Sequence, residues 1–328
     1  MRAPARLLVL AATLLSWPAV PGPAAHAESG AGCYALLNAA RARAGVPAAS
    51  ASTLPALARA AANHAAYRVR ADLGDLPAPL LGHVAVGQFG PDRSAHEETG
   101  GLYGYTGRLP WDRTRAAGLR DSAWRSQAED VTTTSGAAGA LPGVQGWVDA
   151  PYHRLPLLDA NNRAVGCGSA TRSYGGRVRG AEVLEMASTW GTRVHRLTRY
   201  PAPGQTGVPL SFDRRQELPS PFATAAGVVG YVVSLRADGW HALKVGRMAM
   251  SKGPNHTPVA VHRAVRHRTS SASGSLDGHL PDNAAMLAAA RPLQPHTRYR
   301  VRISGYVQAT AGGQWHRFRT RVWSFTTR

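Results

Sequence analysis

The chain has 328 residues, 38 Lys and Arg against 19 Asp and Glu, and a formal net charge of +19. That length exceeds one ordinary domain and suits two. The excess base sits in one half: residues 28–190 hold 16 basic and 14 acidic side chains, residues 191–328 hold 20 and 5. Either a solvated basic surface or attraction to a polyanion would account for the second half.

Residues 1–27 read as a secretory signal peptide. Arg2 and Arg6 form the charged start, Leu7 to Val20 the apolar run, and Ala25-His26-Ala27 the cleavage site. The run is too short for a membrane span, and nothing later approaches the roughly 20 apolar residues a span needs. The expected location is outside the cell or on its wall. Cys33 and Cys167 are the only cysteines. In an exported protein an even pair suggests a disulfide, here tying the first helix to a later strand; two separate buried thiols are the alternative.

Apolar spacing predicts a helix over residues 33–47, ending near Gly45-Val46-Pro47, and a second from Leu54 to Arg70 with His64 facing the core. Residues 72–110 read as loop and contain His83, His96, Glu97 and Glu98. A short helix follows from Asp112 to Gly118. Ser126 to Val131 reads as strand, residues 133–143 as a Gly/Ala linker, and Val178 to Trp190 as a last strand. Trp147 to Arg154 reads as a Trp followed by a Pro-Tyr-His-Arg turn. Next come the apolar Leu155 to Leu158, the polar Asp159 to Asn162, and a strand opening on Val165-Gly166-Cys167-Gly168.

Composition changes after about residue 195. Gly230 to Leu235, Tyr299 to Tyr306 and Arg317 to Thr327 alternate like strands, so an all-β region is expected. Its eight His read as surface residues, and Arg214-Arg215 and Arg263 to Arg268 as solvated strand faces.

The order Leu36-Leu37-Asn38, His96-Glu97-Glu98, Gly104-Tyr105-Thr106-Gly107, Ala128-Glu129-Asp130, Trp147, Pro151-Tyr152-His153-Arg154 and Val165 to Gly168 resembles the CAP superfamily of SCP-like extracellular proteins. The resemblance covers about residues 33–190. "PLQPHTRYRVRISG" and "WSFTT" near the C-terminus resemble bacterial Ig-like domains. The resemblance implies an α+β fold class: a CAP-type α-β-α sandwich over residues 28–192, then an all-β Ig-like sandwich over 196–328.

CAP domains carry a cleft lined by two His and acidic residues. By position, His96 corresponds to the first His, Glu129 to an acid and His153 to the second His. The family's other acid falls on Ala150, with Asp149 one residue earlier, so the set lacks a member. Two imidazoles and a carboxylate suit three roles: a site for Zn or another divalent metal on His96 and His153, acid–base work by the same cleft in a metal-dependent hydrolase acting on peptide or wall material, or a hydrogen-bonded network that knits loops to the sheet. The sequence holds no HExxH, no GxSxG and no convincing nucleophile, so no catalytic residue is assigned. Trp147 and Tyr152 read as packing residues, and Glu97 and Glu98 as residues that orient His96 or face water. The favoured expectation is a non-enzymatic binding protein at the envelope or outside the cell. An anionic wall polymer or surface is the expected partner of the basic half; nucleic acid is disfavoured, because no basic helix or aromatic-basic repeat is evident.

Overall fold

The computed structural model describes residues 30–51, 53–73, 96–98, 104–135, 143–174, 177–191, 193–217, 221–222, 227–268 and 275–328. The signal peptide and His83 lie outside these residues, as does most of the 133–143 linker. The chain forms two compact units. The first takes residues up to Ala39, Ala48–Val148 and Asn162–Gly191; the second takes Ala40–Pro47, Asp149–Asn161 and Thr192–Arg328. The Pro-Tyr-His-Arg segment is thus a member of the second unit.

In the first unit, a three-stranded antiparallel sheet is ordered β1 (Ser126–Ser135), β3 (Arg177–Ser188), β2 (Asn162–Tyr174). Helix α2 (Pro55–Leu73) lies along one face. Successive strand side chains alternate between faces. Val131, Ala181 and Val183 therefore meet Ala61, Ala65 and Val69 of α2. Ala164 and Ala187 meet Ala56 and Leu57 further along the same helix.

Gly166 and Gly168 make that approach close. A Cβ on Gly166 would lie 2.1 Å from the backbone of Leu57 and Ala58, and one on Gly168 2.2 Å from the carbonyl carbon of Ala61. Two glycines on one face of β2 let the helix backbone rest on the strand.

The other face carries Cys167 and, by register, Leu184 beside it. Cys167 is disulfide-bonded to Cys33 of α1 (Gly30–Arg43), as expected from the even count. Cys33, Cys167 and Glu182 line a small pocket together with Val144 and Trp147 of a later short helix. Helices on both faces give the α-β-α layering. The covalent tie closes a span of 134 residues. On the chain-entropy account this removes about 4–5 kcal/mol of unfolded-state freedom, an upper figure.

The segment read as a turn is helical. Helix α3 (Pro110–Ala116) precedes β1, and α4 (Gly143–Asp149) precedes α5 (Pro151–Leu157). Pro151 stands in the first turn of α5, where its fixed φ and missing N–H cost nothing, and Ala150 is the extended residue before it. Proline signalled a turn in the sequence but starts a helix here.

The second unit is all-β apart from its short helical segments. One sheet runs β12 (Ser275–Leu276), β10 (Val261–Val265), β13 (Ala284–Ala289), β7 (Val233–Asp238), β4 (Arg196–Tyr200). The other runs β11 (His267–Arg268), β8 (Ala242–Lys252), β14 (Arg298–Gln308), β15 (Trp315–Thr326), with β9 (Thr257–Val259) on β8. A two-stranded sheet, β5 (Ser211–Asp213) with β6 (Val228–Gly230), lies apart from these. Pairing is antiparallel except for β10 with β12 and β11 with β8. Every residue of β7 and β13 is buried, so both faces of those strands are covered. Tyr152 and Leu155 of α5 belong to a cluster with Phe212, Val229, Val232 and Met286.

Candidate functional site

Two buried His–carboxylate sets account for the residues singled out in the sequence. The first lies in the first unit. Glu129 on β1 and Glu185 on β3 stand opposite one another in register, on the face that α2 covers. His96 bonds through Nδ1 to Glu129 Oε1 at 2.9 Å. Arg113 of α3 donates from Nη2 to Glu129 Oε2 at 2.5 Å and from Nη1 to the carbonyls of His96, Gly107 and Arg108. His64 of α2 bonds through Nδ1 to Glu98 at 2.9 Å. Glu98 in turn accepts from the backbone N–H groups of Thr106 and Gly107.

His64, Arg113 and Glu185 are fully buried, Glu129 is 1% exposed, and His96 is 3% exposed. His64 faces the core, as expected. Glu98 serves His64 and its own loop, while Glu97 pairs with the exposed Arg108.

Burial sets the protonation states. It pushes the Glu129 carboxyl up, but Arg113, then His64 and His96, outweigh it and hold that acid well below the carboxylate range. Glu185, buried and then repelled by Glu129, is held well above that range and so keeps its proton. His64 is lowered, chiefly by burial, against the pull of Glu129. Arg113 thus offsets the ionised Glu129, and it also lies 3.9 Å from the buried Glu98 carboxyl.

The second set lies in the second unit. His153 of α5 bonds through Nδ1 to Glu217 Oε1 at 3.0 Å. The same oxygen accepts from the N–H of Tyr152 at 2.8 Å and of His153 at 3.3 Å. Glu217 is fully buried. It is the acid of His153, in place of one at Ala150. Asp149 accepts from the Tyr231 hydroxyl at 2.6 Å. Tyr152 donates its hydroxyl to Asp277 at 2.5 Å, so its role exceeds packing.

Arg154, also fully buried, donates to the Val232 carbonyl and lies over the rings of Tyr200 and Tyr231. Asp159 pairs with Arg236 at 2.5 Å, and Asn161 exchanges two bonds with the backbone of Val194. From residue 149 to 161, then, nearly every polar side chain is committed to this unit.

Asp238 extends that set, accepting from Thr198 Oγ1 and the Ala160 N–H. Burial, then the Asp159 charge, raise its carboxyl to about 7 against the pull of Arg236. The folded state therefore holds a proton that the unfolded state releases near pH 3.8. Stability from this group is fully present below pH 3.8 and is lost as pH rises through 7. Asp238→Asn should flatten that fall: urea unfolding from pH 4 to 8 is expected to show the variant gaining on wild type by up to a few kcal/mol. Parallel profiles would contradict this protonation.

Arg113, Glu185 and Glu217 were missed from sequence. Glu185 had a signal, a lone acid inside the apolar run Val183 to Ala187. Glu217 had a weaker one, as one of 5 acids in the basic half. Arg113 had none in a chain so rich in Arg. Among the described residues no group of three or more His, Cys, Asp or Glu is arranged to hold a metal ion. No helix of the described residues is long and apolar enough to cross a membrane.

A three-stranded sheet between helices, tied by one disulfide and carrying a buried His/Glu cluster, defines an α+β domain. Residues 34–183 match the CAP family, the Cysteine-rich secretory protein family, and form a CAP domain. The C-terminal region forms a β-rich domain whose family is unspecified. No curated protein and no solved structure matches the chain.

Proposed function

We propose that this is an exported, non-enzymatic CAP-domain protein that works by binding, at the cell envelope or outside the cell. The observation that carries the reading is the commitment of both signature imidazoles: each is buried and bonded through Nδ1 to a buried carboxylate, His96 to Glu129 and His153 to Glu217. A carboxylate on Nδ1 fixes an imidazole's orientation, and the near-complete burial of both rings favours a structural role for that bond. Here the imidazoles serve to join elements, the His96 loop to β1 and α5 to the Glu217 segment. The secretory reading draws on the family, on the disulfide and on the apolar N-terminus.

Binding falls to the basic β-rich unit, which would hold the protein on an anionic wall polymer; its Ig-like kinship belongs to the same proposal. The full chain should be tested, because residues 149–161 are built into that unit. Protein applied to wall preparations at low ionic strength is expected to be retained and then released as salt rises. Passage without retention, or retention indifferent to salt, would overturn the reading.

A further inference from the structure

The outer face of the sheet formed by β8, β14 and β15 is dominated by basic side chains, with one acid, Asp282, beside His267 at its Lys244 edge. Along β14, Tyr299, Val301 and Ile303 are buried while Arg298, Arg300 and Arg302 are exposed. Alternate residues on a strand repeat about every 6.8 Å. The side chains flanking these arginines in register are uncharged: Thr326, Ser324 and Val322 on β15, Ser251 and Ala249 on β8. Further along, Arg247 stands opposite Ser304, and Arg317 and Lys244 stand on either side of Tyr306. No Asp or Glu occurs in β8, β14 or β15. Elsewhere in the unit Arg215, Arg236 and Arg266 have carboxylate partners. Among the described residues Arg247, Arg298, Arg300, Arg302 and Arg317 have none.

Like charges two apart on one strand face repel, and a surface built only for solubility mixes both signs. We propose that this face is a binding track for an extended phosphodiester polymer without bases, of the polyol-phosphate kind. The proposal rests on the reading of the basic unit as the part that holds the protein to an anionic polymer. Guanidinium groups bind phosphate oxygens in a bidentate fork, and a row repeating every ~6.8 Å meets successive phosphates of an extended chain. Single-stranded nucleic acid fits less well, since its binding tracks set open aromatic rings beside the basic groups. On this face Tyr306 is half-buried, and the Trp315 ring lies under the Lys244 ammonium at 4.2 Å.

The test is calorimetric titration of the full chain with poly(glycerol phosphate), and with oligo(dT) of equal charge, at 50 and 200 mM salt. The wild type is compared with Arg300→Ala/Arg302→Ala and with a control of equal net charge, Arg43→Ala/Arg120→Ala, both of whose sites are exposed. Melting curves confirm that all three are folded. The track variant is expected to lose about tenfold or more in affinity for poly(glycerol phosphate), and its salt slope to become shallower by about 1.4, two phosphate contacts' worth. The control should stay within about twofold. Equal losses in both variants, or oligo(dT) bound as tightly as poly(glycerol phosphate), would overturn the track while leaving the basic unit a polyanion binder. No binding of either polymer by the wild type at 50 mM would overturn both.

Discussion

Arg113→Ala is expected to destabilise the first unit by about 3–5 kcal/mol, the cost of leaving one partner of a buried ion pair uncompensated. Arg113 is the cation that keeps Glu129 ionised against burial. Its Nη1 also satisfies three backbone carbonyls. Removing it strands a carboxylate and those acceptors together. Against a typical domain stability of about 5–15 kcal/mol the loss is large. Urea unfolding measures it. Adding Glu129→Gln to the Arg113→Ala chain should restore part of the stability, because the orphaned charge is gone. An Arg113→Ala chain within about 1 kcal/mol of wild type would show that Glu129 does not depend on it.

Gly168→Ala is expected to cost as much or to abolish folding, and Gly166→Ala likewise. The added methyl would stand 2.2 Å from the Ala61 carbonyl carbon and 2.3 Å from the Ala62 nitrogen. Those are backbone atoms of a long helix, so a side-chain rotation cannot relieve the clash. α2 would have to lift off the sheet, parting Ala61, Ala65 and Val69 from Val131, Ala181 and Val183. Gly246→Ala is the control: its nearest neighbour is a carbonyl oxygen at 3.5 Å, an ordinary contact. Soluble yield and urea midpoint should fall steeply for residues 166 and 168 and little for 246.

What the sequence revealed, and what it hid, divides along physical lines. Helices α1 and α2, strand β3 and the inward face of His64 follow from short-range apolar spacing, which local sequence records. The Cys33–Cys167 bond follows from a count of two. The helical state of Pro151 to Leu157 was hidden, because proline marks turns and first helical turns alike. His153's partner was hidden for another reason. The resemblance points to an acid near Trp147, whereas Glu217 lies 64 residues beyond His153, brought there by tertiary folding alone. The protonated Glu185 is a property of its opposition to Glu129 across two strands. No reading of either strand by itself contains it.

The central claim, that the two signature imidazoles join structural elements and do not form a metal or catalytic centre, is tested most directly by histidine-detected nitrogen NMR of the full chain during zinc titration. The account predicts that the His96 and His153 rings each hold one tautomer, with the proton on Nδ1 facing its carboxylate, and that one equivalent of zinc leaves both signals in place. Loss or joint displacement of the two signals at one equivalent, reversed by a chelator, would contradict it.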